Sequence, residues 1–463
     1  MQRKALIDIE KWYKNEFRKP LLIYGARQVG KTTLIKDIFA PKYFDNKHVL
    51  YIDFRYDSDE RKYIKNNIDV DKIINYLSLK HQITINENTL LIFDEVQECI
   101  QLLTCLKYFC QKYRNIPVIV TGSLVRTKLK QMEVSSKIEL DSEILKENQD
   151  GHNNYMFPVG KIDEYDLYPF TFDEYFEARN AKLYQHIKDS FEKNIDLERE
   201  YHNLALNIFN EYMLIGGLPE NIDIFLKTNS YEQARRNLIS IYDNYLNDMV
   251  LYQISDSTIL RTRRLFDNIY EQLNKENKNV KITDIEKNKR FRDYIYPLDW
   301  LNLSRLVYES HQLKEFVSLP LKKDKGSLFR LYLPDVGLFA YQSGISPESF
   351  IDDTKVSSLS GIFYENYVAL ELYARGFKLF YWKGKTSSEM EFVIPYKTNV
   401  IPIDVKKNKG NLNSLTKFRE HNKNSFAIKI SNNMYGYNKD NNLYTVPFYY
   451  VGLFFDKLKK EEL

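Results

Sequence analysis

The chain has 463 residues, which is too long for one hydrophobic core, so we expect about two to four domains. Hydrophobic residues make up 43% of the chain and charged residues 28%, a balance that excludes a disordered chain. The net charge of +4 is small, so any affinity for nucleic acid must come from local basic patches.

The first residues mix charged and apolar side chains at helical spacing, which is not typical of a signal peptide. No later run is long and apolar enough to span a bilayer, so we expect no membrane association. The spacing of Cys99, Cys105 and Cys110 fits neither a zinc site nor a disulfide framework, and we interpret these residues as buried packing residues. The predicted location is therefore cytoplasmic.

A predicted helix through Trp12 leads to the apolar run Leu21–Tyr24, which is followed by the pattern G-x-x-x-x-G-K-T. This spacing is that of a P-loop, in which glycines let backbone N–H groups surround phosphate oxygens at a helix N-terminus. Lys31 is expected to contact the β- and γ-phosphates, and Thr32 to bind magnesium. The alternative is a strand-to-helix turn that binds nothing. The predicted ATP-binding residues are Gly25, Ala26, Arg27, Gln28, Val29, Gly30, Lys31, Thr32 and Thr33.

The next predicted strands are His48–Phe54 and Thr89–Glu95, and the second is a hydrophobic run that ends in two acids. Ligands of open α/β sheets bind at the carboxyl ends of the strands. We therefore predict that Asp94 holds magnesium through water and that Glu95 polarises the attacking water. The alternative is a helix start with acidic residues at its N-terminus.

Pro117–Val120 is a predicted strand that ends in a polar turn with Thr121 and Ser123. A hydroxyl at this place contacts the γ-phosphate or positions water, as a sensor does, or else it caps the next helix. Residues Thr127–Tyr155 are polar without periodicity and are predicted to form a mobile insertion. Tyr168–Phe176 is predicted to be a turn into a capped helix.

These motifs continue through the chain in an order that identifies a family resemblance. The chain resembles the bacterial and archaeal AAA-type ATPases that carry a C-terminal restriction-endonuclease-like domain of unknown function. The matching stretches are GARQVGKT at Gly25, LLIFDEVQE at Leu90, TGSL at Thr121, FPVGK at Phe157, LYPFTFDEYF at Leu167, GGLPE at Gly216, LYLPDVGLF at Leu331, GIFYENYVALEL at Gly361 and PIDVKKNKG at Pro402.

The resemblance implies an α/β protein with four parts. They are a P-loop AAA-type ATPase core at residues 1–180, a helical lid-like subdomain at 181–256, a winged-helix module at 257–335 and an α/β restriction-endonuclease-like domain at 336–463. AAA-type ATPases often complete the active site from a neighbouring subunit, so the resemblance makes a homo-oligomer one possibility, and the sequence does not identify an arginine finger.

The middle of the chain has a helical pattern from Ala181 to Asn268, interrupted by a predicted turn at Gly216–Glu220. Lysines and arginines outnumber acids in the first part of Lys275–Leu306. Two runs, Leu306–Glu309 and Leu328–Tyr332, are expected to pair as a wing. The pattern and the resemblance favour a winged helix whose basic recognition helix contacts DNA phosphates. A lid or protein-docking surface is the alternative.

In the C-terminal region, a predicted helix from Gly361 to Leu372 precedes three predicted strands. Because residues on a strand alternate between its faces, Asp404 and Lys406 share one face of the last strand. Glu391 on the preceding strand can meet them, and Glu365 can approach from the helix.

This set is similar to the PD-(D/E)xK nuclease core, in which carboxylates hold a magnesium ion and a lysine orients the nucleophile. The resemblance implies that Glu391 and Asp404 bind the metal beside Lys406. The family usually has aspartate at the first position and glutamate at the second, and this chain reverses both. An ordinary charged hairpin, a nuclease fold without cleavage and an active nuclease are the three alternatives.

The sequence therefore predicts an ATP-binding and ATP-hydrolysing protein that uses magnesium and controls a DNA-associated, nuclease-like domain. The alternative is a nucleotide-controlled binding or signalling switch, directed to a protein partner, with an inactive nuclease fold.

Overall fold

The computed structural model describes residues 1–130, 158–251, 255–323, 326, 328–351, 360–385, 388–406 and 412–462. The chain divides into two compact units. The N-terminal unit comprises Gln2–Tyr168 and Val250–Asp256, and the C-terminal unit comprises Met1, Pro169–Met249 and Ser257–Leu463. Most of the predicted mobile insertion, from residue 131 onward, lies outside the described residues.

A parallel sheet of five strands forms the centre of the N-terminal unit. Its order is β2-β3-β4-β1-β5, so β4 separates the strand before the P-loop from the strand that ends in Asp94. β1, β3 and β4 are buried along their whole length, as expected for a parallel sheet covered on both faces. The strands are β1 (Leu21–Tyr24), β2 (Val49–Asp53), β3 (Leu90–Asp94), β4 (Val118–Thr121) and β5 (Asp163–Asp166).

Three helices of the N-terminal unit bury apolar residues in one core cluster with the sheet: Ser58–Asn66, Val70–His81 and Gln101–Lys112. The segment after the P-loop is a seven-residue π-helix, Thr33–Phe39, which continues as the α-helix Ala40–Tyr43. The other α-helices of this unit are Lys4–Lys14, Ser58–Asn66, Val70–His81 and Gln101–Lys112. The three cysteines are buried, which agrees with their predicted packing role.

The C-terminal unit begins with helices. The predicted capped helix is confirmed as Phe172–Arg179, where Thr171 and Glu174 form a capping box. This helix lies in the second compact unit, although the predicted ATPase core extended to residue 180. The following helices are Ala181–Glu192, Arg199–Ile215, Pro219–Thr228, Tyr231–Leu251, Asp256–Asp267 and Ile269–Leu273.

The predicted turn at Gly216–Glu220 is confirmed, because one helix ends at Ile215 and the next begins at Pro219. Gly216 has a φ of +75°, a conformation that favours glycine. A Cβ at Gly217 would overlap the carbonyl oxygen of Phe170. The Gly217 N–H donates a hydrogen bond of 2.6 Å to Asp335 Oδ2. The glycines therefore allow close packing between separate segments of the same unit.

A four-stranded sheet contains the predicted hairpin, because β6 (Tyr308–Leu313) pairs antiparallel with β7 (Phe329–Tyr332). β6 also pairs in parallel with β8 (Leu379–Lys383), and β8 pairs with β9 (Glu389–Met390). The predicted boundary at residue 335 thus falls between strands of one sheet, and the domain ranges stay a prediction.

The sequence predicted a recognition helix that carries the basic residues, and this placement of the basic residues is wrong. The helix before the hairpin, Ile295–Leu303, contains no lysine or arginine. The basic residues precede it, in a segment with only the short helix Ile282–Ile285 and the 3-10 helix Phe291–Asp293. The helix itself buries Leu298, Trp300 and Leu301, so packing rather than charge determines its composition.

The last sheet of the C-terminal unit has the order β10-β11-β12-β14-β13. The predicted strands of this region are present, and β10 pairs antiparallel with β11. The strands are β10 (Phe392–Tyr396), β11 (Asn399–Val405), β12 (Ala427–Ser431), β13 (Gly436–Asn438) and β14 (Leu443–Pro447). The helices of this region are Val336–Gln342, Pro347–Ile351, Ser360–Ala374, Asn413–His421 and Val451–Lys459.

Across the described parts of the chain, every helix is too short or too polar to cross a bilayer. The cytoplasmic location stays a prediction.

Candidate functional site

The P-loop follows directly from β1 and has the backbone that its glycines predict. Gly25 has a φ of +149° and Gly30 a φ of +89°. A Cβ at Gly25 would overlap the carbonyl oxygen of Leu167, so a side chain is excluded there. Ala26 and Val29 are buried, which anchors the loop against the unit's core. Gln28 also has a positive φ, of 64°.

Lys31 lies inside this loop and is only 7% exposed. Its Nζ donates hydrogen bonds to the carbonyl oxygens of Gly25 (3.0 Å) and Ala26 (2.8 Å) and to Ser123 Oγ (3.0 Å). Burial lowers the pKa of Lys31 to about 8, against the opposing charges of Glu95 and Asp94. A P-loop pattern by itself suggests an exposed lysine with little packing to lose, but the Lys31 side chain is buried and hydrogen-bonded.

Asp94 is the buried centre of a hydrogen-bond network at the carboxyl end of β3. Its Oδ2 accepts hydrogen bonds from Thr32 Oγ1 (2.6 Å) and the Tyr51 hydroxyl (3.0 Å). Its Oδ1 accepts one from the Glu95 N–H (2.9 Å) and another from Thr121 Oγ1. The structure thus brings the two predicted magnesium-binding residues, Thr32 and Asp94, into direct contact.

Glu95 stands at a sharp backbone turn, with a φ of +55°. Its carboxylate forms an ion pair of 2.7 Å with Arg55 Nη2 and accepts a hydrogen bond from the Gln97 side chain. Sequence reasoning missed Arg55 and Gln97. A signal for Arg55 existed, because it follows β2 at the same sheet edge as Asp94.

A second candidate centre lies in the C-terminal unit and includes the four predicted residues. Glu391 Oε1 and Asp404 Oδ1 contact Lys406 Nζ at 2.7 and 3.1 Å. Glu391 Oε2 also accepts a hydrogen bond of 3.1 Å from the Val405 N–H. Because Lys406 bridges the carboxylates of Glu391 and Asp404, their mutual repulsion is compensated without a metal ion.

Glu365 joins this centre from the helix Ser360–Ala374, together with Glu389, which sequence reasoning missed. Carboxylate oxygens of Glu365, Glu389 and Glu391 lie within 4.8 Å of one another. We call Glu365, Glu389, Glu391 and Asp404 the carboxylate centre. Glu389 lies on β9 and precedes Glu391, which stands between β9 and β10, by two positions. The sequence signal for Glu389 was therefore this spacing of two residues, which places acids on one face of an extended segment.

Two cations already occupy the carboxylate centre beside Glu365 and Glu389. Lys278 Nζ donates a hydrogen bond to Glu365 and lies 3.4 Å from Glu389 Oε1. Arg330, only 1% exposed, contacts both oxygens of Glu389, at 2.8 and 2.7 Å. Its guanidinium also lies 3.9 Å from the centre of the Tyr381 ring.

These contacts shift the carboxyl pKa values in opposite directions. Burial raises the pKa of Glu389, but the hydrogen bonds and charges of Arg330 and Lys278 outweigh it and lower the pKa to about 2. Burial raises the pKa of Glu365, against the charge of Lys278. Burial, and then the charge of Glu391, raise the pKa of Asp404 to about 7.

Comparison with protein-family models identifies the domain that contains the first of these two centres. Residues 17–139 match the model of an AAA domain. The N-terminal part of the chain is an AAA-type domain. Residues 206–349 match a domain of unknown function, DUF8612, and residues 360–450 match another, DUF4143. Neither of these two descriptions names an activity.

Among solved structures, the chain is similar to the Walker-type ATPase PABY2304 of Pyrococcus abyssi, with 16% identity and a TM-score of 0.41, over 74% of this chain and 95% of that chain. It is also similar to AMPPCP-bound DnaA from Aquifex aeolicus, with 14% identity and a TM-score of 0.26, over 65% of this chain and 87% of that chain. A search of curated proteins found no match.

The AAA-type domain has the donor set that magnesium and ATP require. Magnesium prefers oxygen ligands, and a hydroxyl and a carboxylate oxygen lie 2.6 Å apart at Thr32 and Asp94. Lys31 is held at the loop by carbonyl oxygens, which a phosphate oxygen can replace as hydrogen-bond acceptor. The residues therefore fit a nucleotide with its magnesium ion.

The carboxylate centre fits a metal ion less well. Its oxygens suit magnesium, but Lys278, Arg330 and Lys406 already supply positive charge to them. A divalent ion among Glu365, Glu389 and Glu391 would meet the Lys278 ammonium, which contacts two of these three carboxylates. The described arrangement is a closed ion-pair network.

Proposed function

We propose that the AAA-type domain binds ATP with magnesium and hydrolyses it. The observation that carries this proposal is the convergence of Lys31, Thr32, Asp94 and Ser123 at one edge of the parallel sheet, from three separate strand ends. An isolated P-loop pattern would support nucleotide binding only. The acidic and hydroxyl side chains at the same edge of the sheet also support phosphoryl transfer, the reaction of ATP hydrolysis.

In this proposal, Thr32 and Asp94 would hold magnesium, which would supply positive charge to the phosphate oxygens. Lys31 exchanges its carbonyl acceptors for phosphate oxygens, and Ser123 orients the Lys31 ammonium or the water as a sensor. Glu95 polarises the attacking water. Since Arg55 and Gln97 hold its carboxylate, Glu95 acts only after this ion pair opens.

Steady-state ATP turnover of the full chain tests this role. Glu95→Gln should keep ATP affinity but reduce turnover at least ~100-fold, a typical general-base contribution. Glu98→Gln, three residues further, is the matched comparison and should retain turnover. If Glu95→Gln retains normal turnover and Glu98→Gln loses it, the general base is Glu98 and our assignment is wrong.

We further propose that the nucleotide state controls the C-terminal unit, which associates with DNA. The hairpin of β6 and β7 behind the helix Ile295–Leu303 supports a winged-helix assignment. The meeting of Glu391, just before β10, with Asp404 at the end of β11 and Lys406 directly after it supports a nuclease-like fold. An active site completed by a neighbouring subunit remains part of this proposal, and the mass of the ATP-bound protein in solution tests it.

A second candidate function is a nucleotide-controlled binding or signalling switch without DNA cleavage. One observation favours it for the C-terminal unit: Lys406 compensates Glu391 and Asp404, the carboxylates that metal-dependent cleavage would need, and Lys278 and Arg330 compensate the neighbouring Glu365 and Glu389. We therefore favour a recognition unit built on a nuclease-like fold over an active nuclease.

A cleavage assay separates the two candidates. Full-length protein is incubated with single-stranded, duplex and supercoiled DNA, with magnesium or manganese and with ATP. An active nuclease cleaves one of these forms and loses the activity in Lys406→Ala and Asp404→Asn. A switch leaves all forms intact, while DNA or a protein partner changes the rate of ATP turnover.

A further inference from the structure

The segment between residues 286 and 295 of the C-terminal unit combines uncompensated positive charge with exposed apolar side chains. Lys287, Arg290 and Arg292 are exposed and Lys289 is half-buried. Among the described residues, no carboxylate lies within ion-pair distance of these four side chains. We call these four residues the basic segment.

The nearest acids are already shared among other cations. Glu286 contacts Arg264 Nη1 at 3.2 Å and Arg261 Nε at 3.6 Å, and it also accepts a hydrogen bond from the Tyr294 hydroxyl. Asp284 contacts both Lys275 and Lys281, at 2.8 and 3.3 Å. These two carboxylates therefore cannot neutralise the basic segment.

Asp293 is the remaining acid near the basic segment, and it does not neutralise the positive charge of that segment. Its carboxylate accepts a hydrogen bond of 2.9 Å from the Arg290 backbone N–H. This bond, followed by the charges of Lys289, Arg261 and Arg292, lowers the pKa of Asp293. The charges of Lys289, Arg261 and Arg292 thus act on Asp293 together, so one carboxylate faces several cations here.

Two apolar side chains lie among these cations. Phe291 is 48% exposed, although its ring makes an edge-to-face contact with the ring of Phe329, with centroids 5.7 Å apart. Ile295, one helical turn later, is 47% exposed. An aromatic ring supported from one side and flanked by two arginines can stack on a base while the arginines contact phosphates.

The neighbouring helix does not provide a second basic surface. Ile295–Leu303 has no cation, contains Asp299, and buries Pro297, Leu298, Trp300 and Leu301. It therefore lacks the exposed polar face with which a recognition helix reads the major groove. Positive charge with an aromatic ring favours a single strand with unpaired bases over a duplex.

We propose that the basic segment and Phe291 form a binding surface for single-stranded nucleic acid, without sequence specificity. This inference rests on the proposed association of the C-terminal unit with DNA and names the form of nucleic acid and the residues. Arg290, Arg292 and Lys287 contact backbone phosphates, and Phe291 stacks on one base.

Fluorescence anisotropy of the full chain tests the proposal, with a labelled oligothymidine of about 20 nucleotides, longer than one typical binding site. Arg290→Ala with Arg292→Ala should weaken binding at least ~10-fold and reduce the slope of log affinity against log salt by about 0.7 for each cation removed. Phe291→Ala should weaken binding roughly tenfold and Phe291→Trp should restore it. Lys423→Ala with Lys439→Ala, which removes two exposed lysines elsewhere in the unit, should change neither quantity.

Thermal unfolding of each variant establishes that it is folded, and ATP turnover without nucleic acid should equal that of the wild type. If Phe291→Ala binds oligothymidine normally, or if a matched duplex binds as tightly as the single strand, the proposal is overturned. A wild type that binds the oligothymidine but does not hydrolyse ATP contradicts the ATPase proposal and leaves this surface supported. A wild type that hydrolyses ATP without binding the oligothymidine contradicts the surface alone.

Discussion

Lys278→Met tests whether the carboxylate centre is held together by internal cations. The substitution keeps most of the aliphatic side chain and removes the ammonium group that contacts Glu365 and Glu389. Glu365 is 3% exposed, so its charge loses a partner without gaining water. Removing one partner of a buried ion pair costs about 3–5 kcal/mol.

Thermal unfolding without nucleotide measures this cost. Since 1 kcal/mol corresponds to about 2 °C in a large domain, Tm should fall by about 6–10 °C at neutral pH. Lys275→Met is the matched control, because Lys275 pairs with Asp284 at the surface and its loss should cost less than about 0.5 kcal/mol.

The loss of stability in Lys278→Met should also depend on pH. Burial raises the pKa of Glu365 even in the wild type, and loss of Lys278 removes the charge that opposes this shift. A carboxyl with a raised folded pKa binds more protons in the folded state, so the folded state gains stability as the pH falls. The Tm difference between Lys278→Met and the wild type should therefore shrink in acid.

Magnesium provides the decisive comparison. If Lys278 supplies the positive charge of the centre, magnesium should stabilise Lys278→Met more than the wild type. Our reasoning is refuted if Lys278→Met is as stable as Lys275→Met. It is equally refuted if magnesium stabilises the wild type and Glu389→Gln removes that effect, because the centre would then be a metal site.

Three further predictions concern other sites. Lys31→Ala should abolish tight ATP binding in calorimetry and also lower stability by about 1–3 kcal/mol, because two loop carbonyls lose their donor; normal ATP affinity would contradict the P-loop assignment. Gly217→Ala should lower stability by about 1–3 kcal/mol in thermal unfolding. Gly436→Ala is the control and should not lower it, because a Cβ there meets nothing within 4 Å. Equal effects of the two substitutions would contradict the close packing at Gly217. Because the pKa of Asp404 is raised to about 7, the wild type should lose stability as the pH rises from about 4 to 7. Urea titrations should show a smaller loss of stability over this pH range in Asp404→Asn. Identical dependence of stability on pH in the two proteins would refute the raised pKa.

The sequence by itself predicted the parts whose chemistry is contiguous in the chain. The P-loop, the acids after β3 and the turn at Gly216 each depend on local backbone conformation, and each lies where it was predicted. Strand alternation likewise predicted that Asp404 and Lys406 share a face and meet Glu391.

Only the tertiary structure decided which cations meet which acids. Lys278 lies 87 positions before Glu365, and Arg330 lies 59 positions before Glu389, so no local pattern relates them. The sequence also predicted a basic recognition helix within Lys275–Leu306, whereas the helix Ile295–Leu303 has no lysine or arginine, buries Leu298 and Trp300, and follows the basic residues in the chain. Long-range ion pairs and the burial of helix faces depend on how distant segments pack, and that packing determines whether a charged cluster binds a ligand or compensates itself.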